Sequence, residues 1–388
     1  MIYLFWILLF FVIYSYLIYP LLLQVFGLLI GRNKQSPGFT DHENLPTVTL
    51  LVTAFNEIEM VDEKIKNSHN LDYPNDKLTL LWVTDGSDDG TPEKVATYSD
   101  VKLMHQDARK GKIHAMNRAA QSVTSDIIVF CDANTYLTKS TLKEISKHFQ
   151  DSNVGCVAGE KQIMKGKQSA AGAGEGAYWK YESWIKQLDY RFNTTLGAAG
   201  ELFAVRRELY QPVESDTVLD DFIISLRIAA KGYSVAYEPN AIAREYPSYS
   251  VTEEMKRKVR IAAGGFQSLS RLTFLLNPFQ YPRLSFQFIS HKVFRWLICP
   301  FSLLFLIPVH VLILWMYPEI VLYQILAVAH LFVYISTLLG WIMEEKKMRV
   351  WIYLPYYFVS TNIAQIRGLA RYLMKSQSVN WERAKRAR

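Results

Sequence analysis

The sequence predicts an α/β protein: a doubly wound, mostly parallel sheet flanked by transmembrane α-helices. Three observations predict it. Short apolar strands alternate with helix-length segments from residue 47 to residue 131; charge-poor apolar runs lie towards both ends of the 388-residue chain; and three strands each deliver polar residues at their carboxyl ends.

Residues 2–30 carry no charge, well beyond the roughly 20 residues that cross a bilayer, and Arg32 and Lys34 follow. A secretory signal would place basic residues before the apolar run and a small-residue cleavage site after it; here the order is reversed. Residues 1–31 are therefore expected to form an N-terminal transmembrane helix, bent at Pro20, with the chain after it in the cytoplasm. Two further spans are expected at 293–317 and 319–343, joined by a tight turn at Pro318 and followed by "EEKKMR" on the cytoplasmic side. The run 350–366 is shorter and contains Pro355. It either crosses or lies re-entrant or interfacial, and with it the C-terminal transmembrane region reaches 372, before a basic tail at 373–388. Residues 276–292 read as an interfacial segment.

Residues 35–275 differ, with mixed charge and frequent turn signals. The net charge of +7 is modest, and Lys and Arg gather beside the membrane runs. That distribution suits membrane lipid or an anionic small molecule as partner, and no nucleic acid. Cys131, Cys156 and Cys299 lack disulfide or metal-ligand spacing and read as packing residues in a reducing compartment.

Within this region the expected elements are a buried strand at 47–55, an acidic helix from about Glu57, a strand from 78 that breaks at an acid and glycine cluster, a helix from Pro92, a strand near 101–104, a helix over 111–121 and a strand at 126–131. Ligands of doubly wound sheets bind beyond the carboxyl ends of the strands, where Asn56, Asp85 and Asp132 fall. One acid at a strand end is as readily a helix cap or an Asx-turn. Recurrence along one edge favours a site.

The segments "TAFNE" (53–57), "VTDGSDDGT" (83–91), "KGKIHAMNRA" (110–119), "CDANT" (131–135) and "LDDF" (219–222) resemble, in order and spacing, the motifs of family-2 inverting glycosyltransferases with the GT-A fold. The flanking membrane runs resemble the branch that contains cellulose, chitin and hyaluronan synthases. This likeness implies a cytoplasmic GT-A domain over 35–275, a nucleotide-sugar donor, a UDP-sugar by preference, and a lipid-linked or glycan acceptor. It places Ala54, Glu57 and Asp85 at the nucleoside and Lys112 near the diphosphate. Asp132 and Asn134 take the acid-x-acid positions that hold Mg2+ or Mn2+ against the donor, and the amide at Asn134 makes that pair weaker than two acids. Asp221 takes the place of the catalytic base, with Asp220 as its supporting neighbour; inversion needs such a carboxylate to accept the proton of the attacking hydroxyl. Gly200 and Glu201 border the acceptor.

Plainer readings exist for each: Glu57 as a helix N-terminal acid, Asp85 as a turn residue, Lys112 as a solvated lysine, the aspartate pair as helix caps, and the small residues near Gly200 as tight packing. At "KRKVRIAAGG" (256–265) the chain departs from the Gln-x-x-Arg-Trp of processive synthases. Arg260 keeps the phosphate-binding position, but Arg257 replaces the Gln and Ile261 the Trp. The same basic stretch also reads as a helix lying on anionic lipid. Transfer of one or few sugars at a bacterial plasma membrane is thus expected, with a processive, exporting synthase and a non-catalytic nucleotide-sugar-binding subunit as alternatives.

Overall fold

A computed structural model describes residues 1–30, 45–164, 170–248, 250–343 and 348–378; Arg32, Lys34, the "EEKK" of 344–347 and the tail from 379 lie outside the described residues. The strands are β1 (Val48–Ala54), β2 (Leu78–Asp85), β3 (Val101–Gln106), β4 (Ile127–Asp132), β5 (Tyr136–Leu137), β6 (Val154–Ile163), β7 (Leu202–Arg206) and β8 (Ser234–Glu245). They form one sheet in the order β3-β2-β1-β4-β7-β6-β8-β5. The β3-β2-β1-β4 block is wholly parallel, as the alternating pattern predicts. Beyond it the sheet is mixed: β7 runs antiparallel to β4 and β6, β6 and β8 are parallel, and β5 is antiparallel to β8.

The strand faces follow the sequence period of two. Leu50 and Val52 of β1, with Val129 and Cys131 of β4, enter one apolar layer, and Leu51, Ile128 and Phe130 enter the other. The first layer is closed by the helices Val61–His69 (α2) and Thr141–His148 (α5), the second by Lys112–Ser122 (α4) and Asp220–Ala230 (α7). A short helix, Thr91–Ala96 (α3), precedes β3. After β1 the chain builds outward to β2 and β3 and then returns to β1's other side as β4. The carboxyl ends of β1 and β4 therefore flank the topological switch point, the crevice in which such sheets bind ligands.

The helices long and apolar enough to cross a membrane, among the described residues, are Ile2–Leu29 (α1), Pro282–Met316 (α9) and Val321–Ile342 (α10). Tyr14–Ile18 of α1 is wound as a π-helix just before Pro20, whose missing N–H leaves the usual helical ladder incomplete. The lower part of α1 packs Tyr19 and Leu23 on Ile185, Leu188 and Phe192 of the helix Ala170–Phe192 (α6). Leu284 and Phe288 near the start of α9 belong to the core layer beneath the sheet, so this helix is anchored in the domain before it reaches its apolar stretch. The helix Val350–Leu373 (α11) is continuous through Pro355 and lies along Val251–Arg271 (α8), so closely that a Cβ at Gly368 would stand 2.3 Å from the Cβ of Ala262. All three cysteines are buried and free.

Candidate functional site

The residues expected at the nucleoside lie at the ends of β1 and β2 and in the loops that follow them. Ala54 is buried at the end of β1. Asn56 adopts a positive φ of 53°, donates Nδ2–H to Asp88 Oδ1 at 2.8 Å and accepts the Asp88 N–H at 3.0 Å. The Glu57 N–H donates to Thr91 Oγ1 at 3.0 Å. The two loops are thus fastened together beside the switch point. Asp85 is more than a turn former: its Oδ2 accepts the N–H groups of Lys110 at 2.8 Å and Gly111 at 2.6 Å, setting the start of α4, while its Oδ1 is buried without a hydrogen-bond partner.

Lys112, on the first turn of α4, is not a solvated lysine. Its Nζ donates to Asp132 Oδ1 at 2.7 Å and reaches the Gly200 carbonyl at 3.4 Å. Burial alone would lower its pKa, but Asp132, Asp220 and Asp221 together push it above the usual lysine value, so the ammonium stays charged. Burial raises the Asp132 carboxyl against the pull of Lys112. Behind this strand end, fully buried Lys64 donates to Cys131 Sγ at 3.0 Å and to the Thr135 carbonyl, bracing the turn that carries Asp132 and Asn134.

Asp220 and Asp221 open α7, but the N-cap is Leu219, so neither aspartate is the cap residue. The Asp221 carboxylate faces Gly200, where a Cβ would lie 3.7 Å from its carboxyl carbon. Burial, then the like charge of Asp220, push the Asp221 pKa up to about 7, against Lys112. Asp220 is buried with Oδ2 unpartnered. A carboxylate poised near neutrality beside a fixed cation can accept a proton from a hydroxyl at physiological pH.

Glu201, expected from the resemblance to border the acceptor, belongs to an ion cluster. Glu201 Oε1 accepts from Lys161 and, at 3.0 Å, from Arg257; Lys161 also pairs with Glu245 at 2.7 Å, and Arg257 with Glu254 at 3.6 Å. Burial would raise the Glu201 carboxyl, but Lys161 and Arg257 hold it well below the usual range. Arg257 is therefore a structural tie between α8 and the sheet. Arg260 lies half-buried three residues further along α8.

The structure brings Lys112, Asp132, Gly200, Asp220, Asp221 and Glu201 into one neighbourhood, with Asp85 bonded to the backbone just before Lys112, Ala54 at the end of the adjacent strand β1 and Glu57 in the loop that follows it. Sequence reasoning missed Lys64, Lys161 and Arg109, whose guanidinium lies 3.7 Å over the Phe55 ring. Lys161 gives no local sign of its burial, since the polar Glu160 and Gln162 flank it in β6.

No set of three His, Cys, Asp or Glu side chains suited to a metal gathers among the described residues. The oxygens of Asp132 and Asn134 nonetheless suit a hard divalent cation that takes its remaining ligands from substrate phosphates and water, and Asn134 Oδ1 is buried with no partner.

The family model described as "Glycosyltransferase like family 2" matches residues 46–264. Among curated relatives, a beta-monoglucosyldiacylglycerol synthase of Nostoc sp. is 27% identical over 237 residues, 58% of this chain and 50% of that protein. A poly-beta-1,6-N-acetyl-D-glucosamine synthase of Staphylococcus aureus is 25% identical over 240 residues, 59% of this chain and 57% of that protein. The matches thus span about half the length of those relatives. Among solved structures, a mannosyltransferase of Pyrobaculum calidifontis in complex with GDP-Man and Mn2+ superposes with a TM-score of 0.73 at 22% identity, covering 96% of this chain and 98% of the other, which shows a shared fold. With more than half its length matched by the family model, and with the sheet and site laid out as above, the chain belongs to glycosyltransferase family 2 and has the GT-A fold.

Proposed function

We propose that the protein transfers a sugar, with inversion, from a nucleotide-sugar, a UDP-sugar by preference, to a lipid-linked or membrane-delivered acceptor at the cytoplasmic face of a bacterial plasma membrane. The observation that carries this reading is the pairing, across Gly200, of a near-neutral buried carboxylate, Asp221, with the charged Lys112–Asp132 pair at the switch point. Asp221 accepts the proton of the attacking hydroxyl, and Asp220 holds Asp221 basic enough to do so. Lys112 offers its remaining donor capacity to the departing diphosphate, at the amino end of α4, where the helix dipole adds to its charge. Asp85 fixes the turn on which Lys112 sits. Asp132 and Asn134 would hold Mg2+ or Mn2+, which supplies further neutralisation of the leaving diphosphate.

The similarity to a beta-monoglucosyldiacylglycerol synthase supports a lipid acceptor. The similarity to a poly-beta-1,6-N-acetyl-D-glucosamine synthase favours a second reading, processive synthesis, but Ile261 stands where the aromatic platform for a growing chain is expected. The test is nucleotide release from a panel of nucleotide-sugars by the chain in lipid, with Mn2+, Mg2+ or chelator. Release from one donor, lost with chelator and in Asp132→Ala, is the expected result. Release that is indifferent to chelator would remove the metal from the account, and no release from any donor would favour the non-catalytic subunit.

A further inference from the structure

The helix α11 buries a run of polar atoms that the fold leaves unsatisfied. Ser360 Oγ, Thr361 Oγ1, Asn362 Oδ1 and Gln365 Oε1 are all buried without a hydrogen-bond partner, and Ser360 and Asn362 are only 5% and 4% exposed. A buried polar atom left unmade costs about 1–3 kcal/mol, and more than nine in ten find partners. Four within six residues of one helix require an explanation.

Their setting supplies one. Residues 361, 362 and 365 share one side of α11. Tyr357, one turn before Thr361, has the Lys258 ammonium of α8 4.6 Å from its ring. The Asn362 side turns to α1, with Nδ2 3.5 Å from the Tyr16 hydroxyl. Tyr16 in turn lies under the Arg295 guanidinium of α9 at 5.0 Å and accepts from the Tyr181 hydroxyl of α6 at its carbonyl, 2.7 Å. The seam thus sits where two membrane-crossing helices meet the domain. On the far side of α8, a Cβ at Gly264 would touch Val218, 2.8 Å away and two residues before Asp220.

The chemistry of the orphan atoms selects the ligand. Asn362 Nδ2 donates to the Phe358 carbonyl at 2.8 Å, which fixes Oδ1 as a free acceptor. Amide oxygens accept only, and hydroxyls both accept and donate. An ionised phosphate brings acceptors alone and would leave Asn362 Oδ1 and Gln365 Oε1 unmatched, whereas hydroxyls bring the missing donors.

We propose that Thr361, Asn362 and Gln365 of α11 form a subsite for the hydroxyl-bearing headgroup of a lipid acceptor, in preference to a polyprenyl phosphate. This rests on the lipid-acceptor reading above and narrows its substrate class.

The test is photolabelling of the full chain in phosphatidylcholine nanodiscs by a photoactivatable diacylglycerol, a probe with one free headgroup hydroxyl. Native protein is labelled; unlabelled diacylglycerol competes, and polyprenyl phosphate and free glycerol do not. The double variant N362L/Q365L weakens labelling about tenfold, the loss of about 1.4 kcal/mol from two hydrogen bonds, and the near-isosteric Thr361→Val weakens it about threefold with the fold intact. Equal labelling of native and variants would mean that the seam holds water only. Better competition by polyprenyl phosphate would reverse the ligand class, and better competition by free glycerol would remove the lipid. Either overturns the proposal. Nucleotide release into water, measured alongside, reports on the transferase reading independently: labelling that follows the seam without nucleotide release leaves the subsite standing and that reading fallen.

Discussion

The two sides of the crevice are built on different principles. On the side proposed to take the donor, polar residues sit at the ends of parallel strands and are held by bonds to neighbouring loops: Asp85 to the backbone of Lys110 and Gly111, Asn56 to Asp88. On the side proposed to take the acceptor, buried charges are held by distant partners: Lys161 of β6 pairs with Glu201 and with Glu245 of β8, and Arg257 reaches in from α8. The donor side can be altered locally with loss of chemistry and little loss of fold. The acceptor side joins structure and function, because its buried charges share partners and removing Lys161 takes a cation from Glu201 and Glu245 at once.

The contrast is sharpest in two substitutions. Lys112→Met on the donor side should lower turnover about 10²–10³-fold, the typical effect of deleting one preorganised charge at a leaving group, with a smaller loss of thermal stability than Lys161→Met because Asp132 keeps more contact with solvent than Glu201 and Glu245. Steady-state kinetics with a melting curve checks both halves, and a large fall in stability would erase the distinction. Lys161→Met on the acceptor side should destabilise by about 3–5 kcal/mol, because it leaves Glu201 and Glu245 buried without their shared cation. Chemical denaturation reads this directly; a loss under about 1 kcal/mol would mean the cluster is better hydrated than its burial implies. A smaller effect belongs to Gly86→Ala, about 1–3 kcal/mol. The added Cβ would sit 2.5 Å from Arg109 Cβ at a φ of +70°, and it should weaken nucleotide binding by displacing the loop that packs on Phe55.

The same division explains what the sequence made legible. The parallel block β3-β2-β1-β4, and the edge bearing Asn56, Asp85 and Asp132, followed from apolar runs ending in turn residues, which is local information. The antiparallel arrangement of β7 between β4 and β6 depends on pairings between residues far apart in the chain, and no local period encodes it. Arg257 illustrates the limit. Its position suggested a departure from an acceptor motif, but its partnership with Glu201, 56 residues away, belongs to the folded chain alone. Lys64 was hidden for the same reason: in sequence it is one charge of an acidic helix, and only packing against β4 places it behind Cys131.

The central claim is that Asp221 is the base, and the most direct measurement is the pH dependence of sugar transfer in the native chain and in Asp221→Asn, with donor affinity measured in parallel. The folded-state pKa of about 7 means that native transfer should fall as pH drops below about 7 and the carboxylate takes up a proton. The variant should bind donor with unchanged affinity, transfer about 10²–10⁴-fold more slowly and lose that inflection. An Asp221→Asn chain that transfers sugar at the native rate, or keeps the native pH profile, would contradict the account.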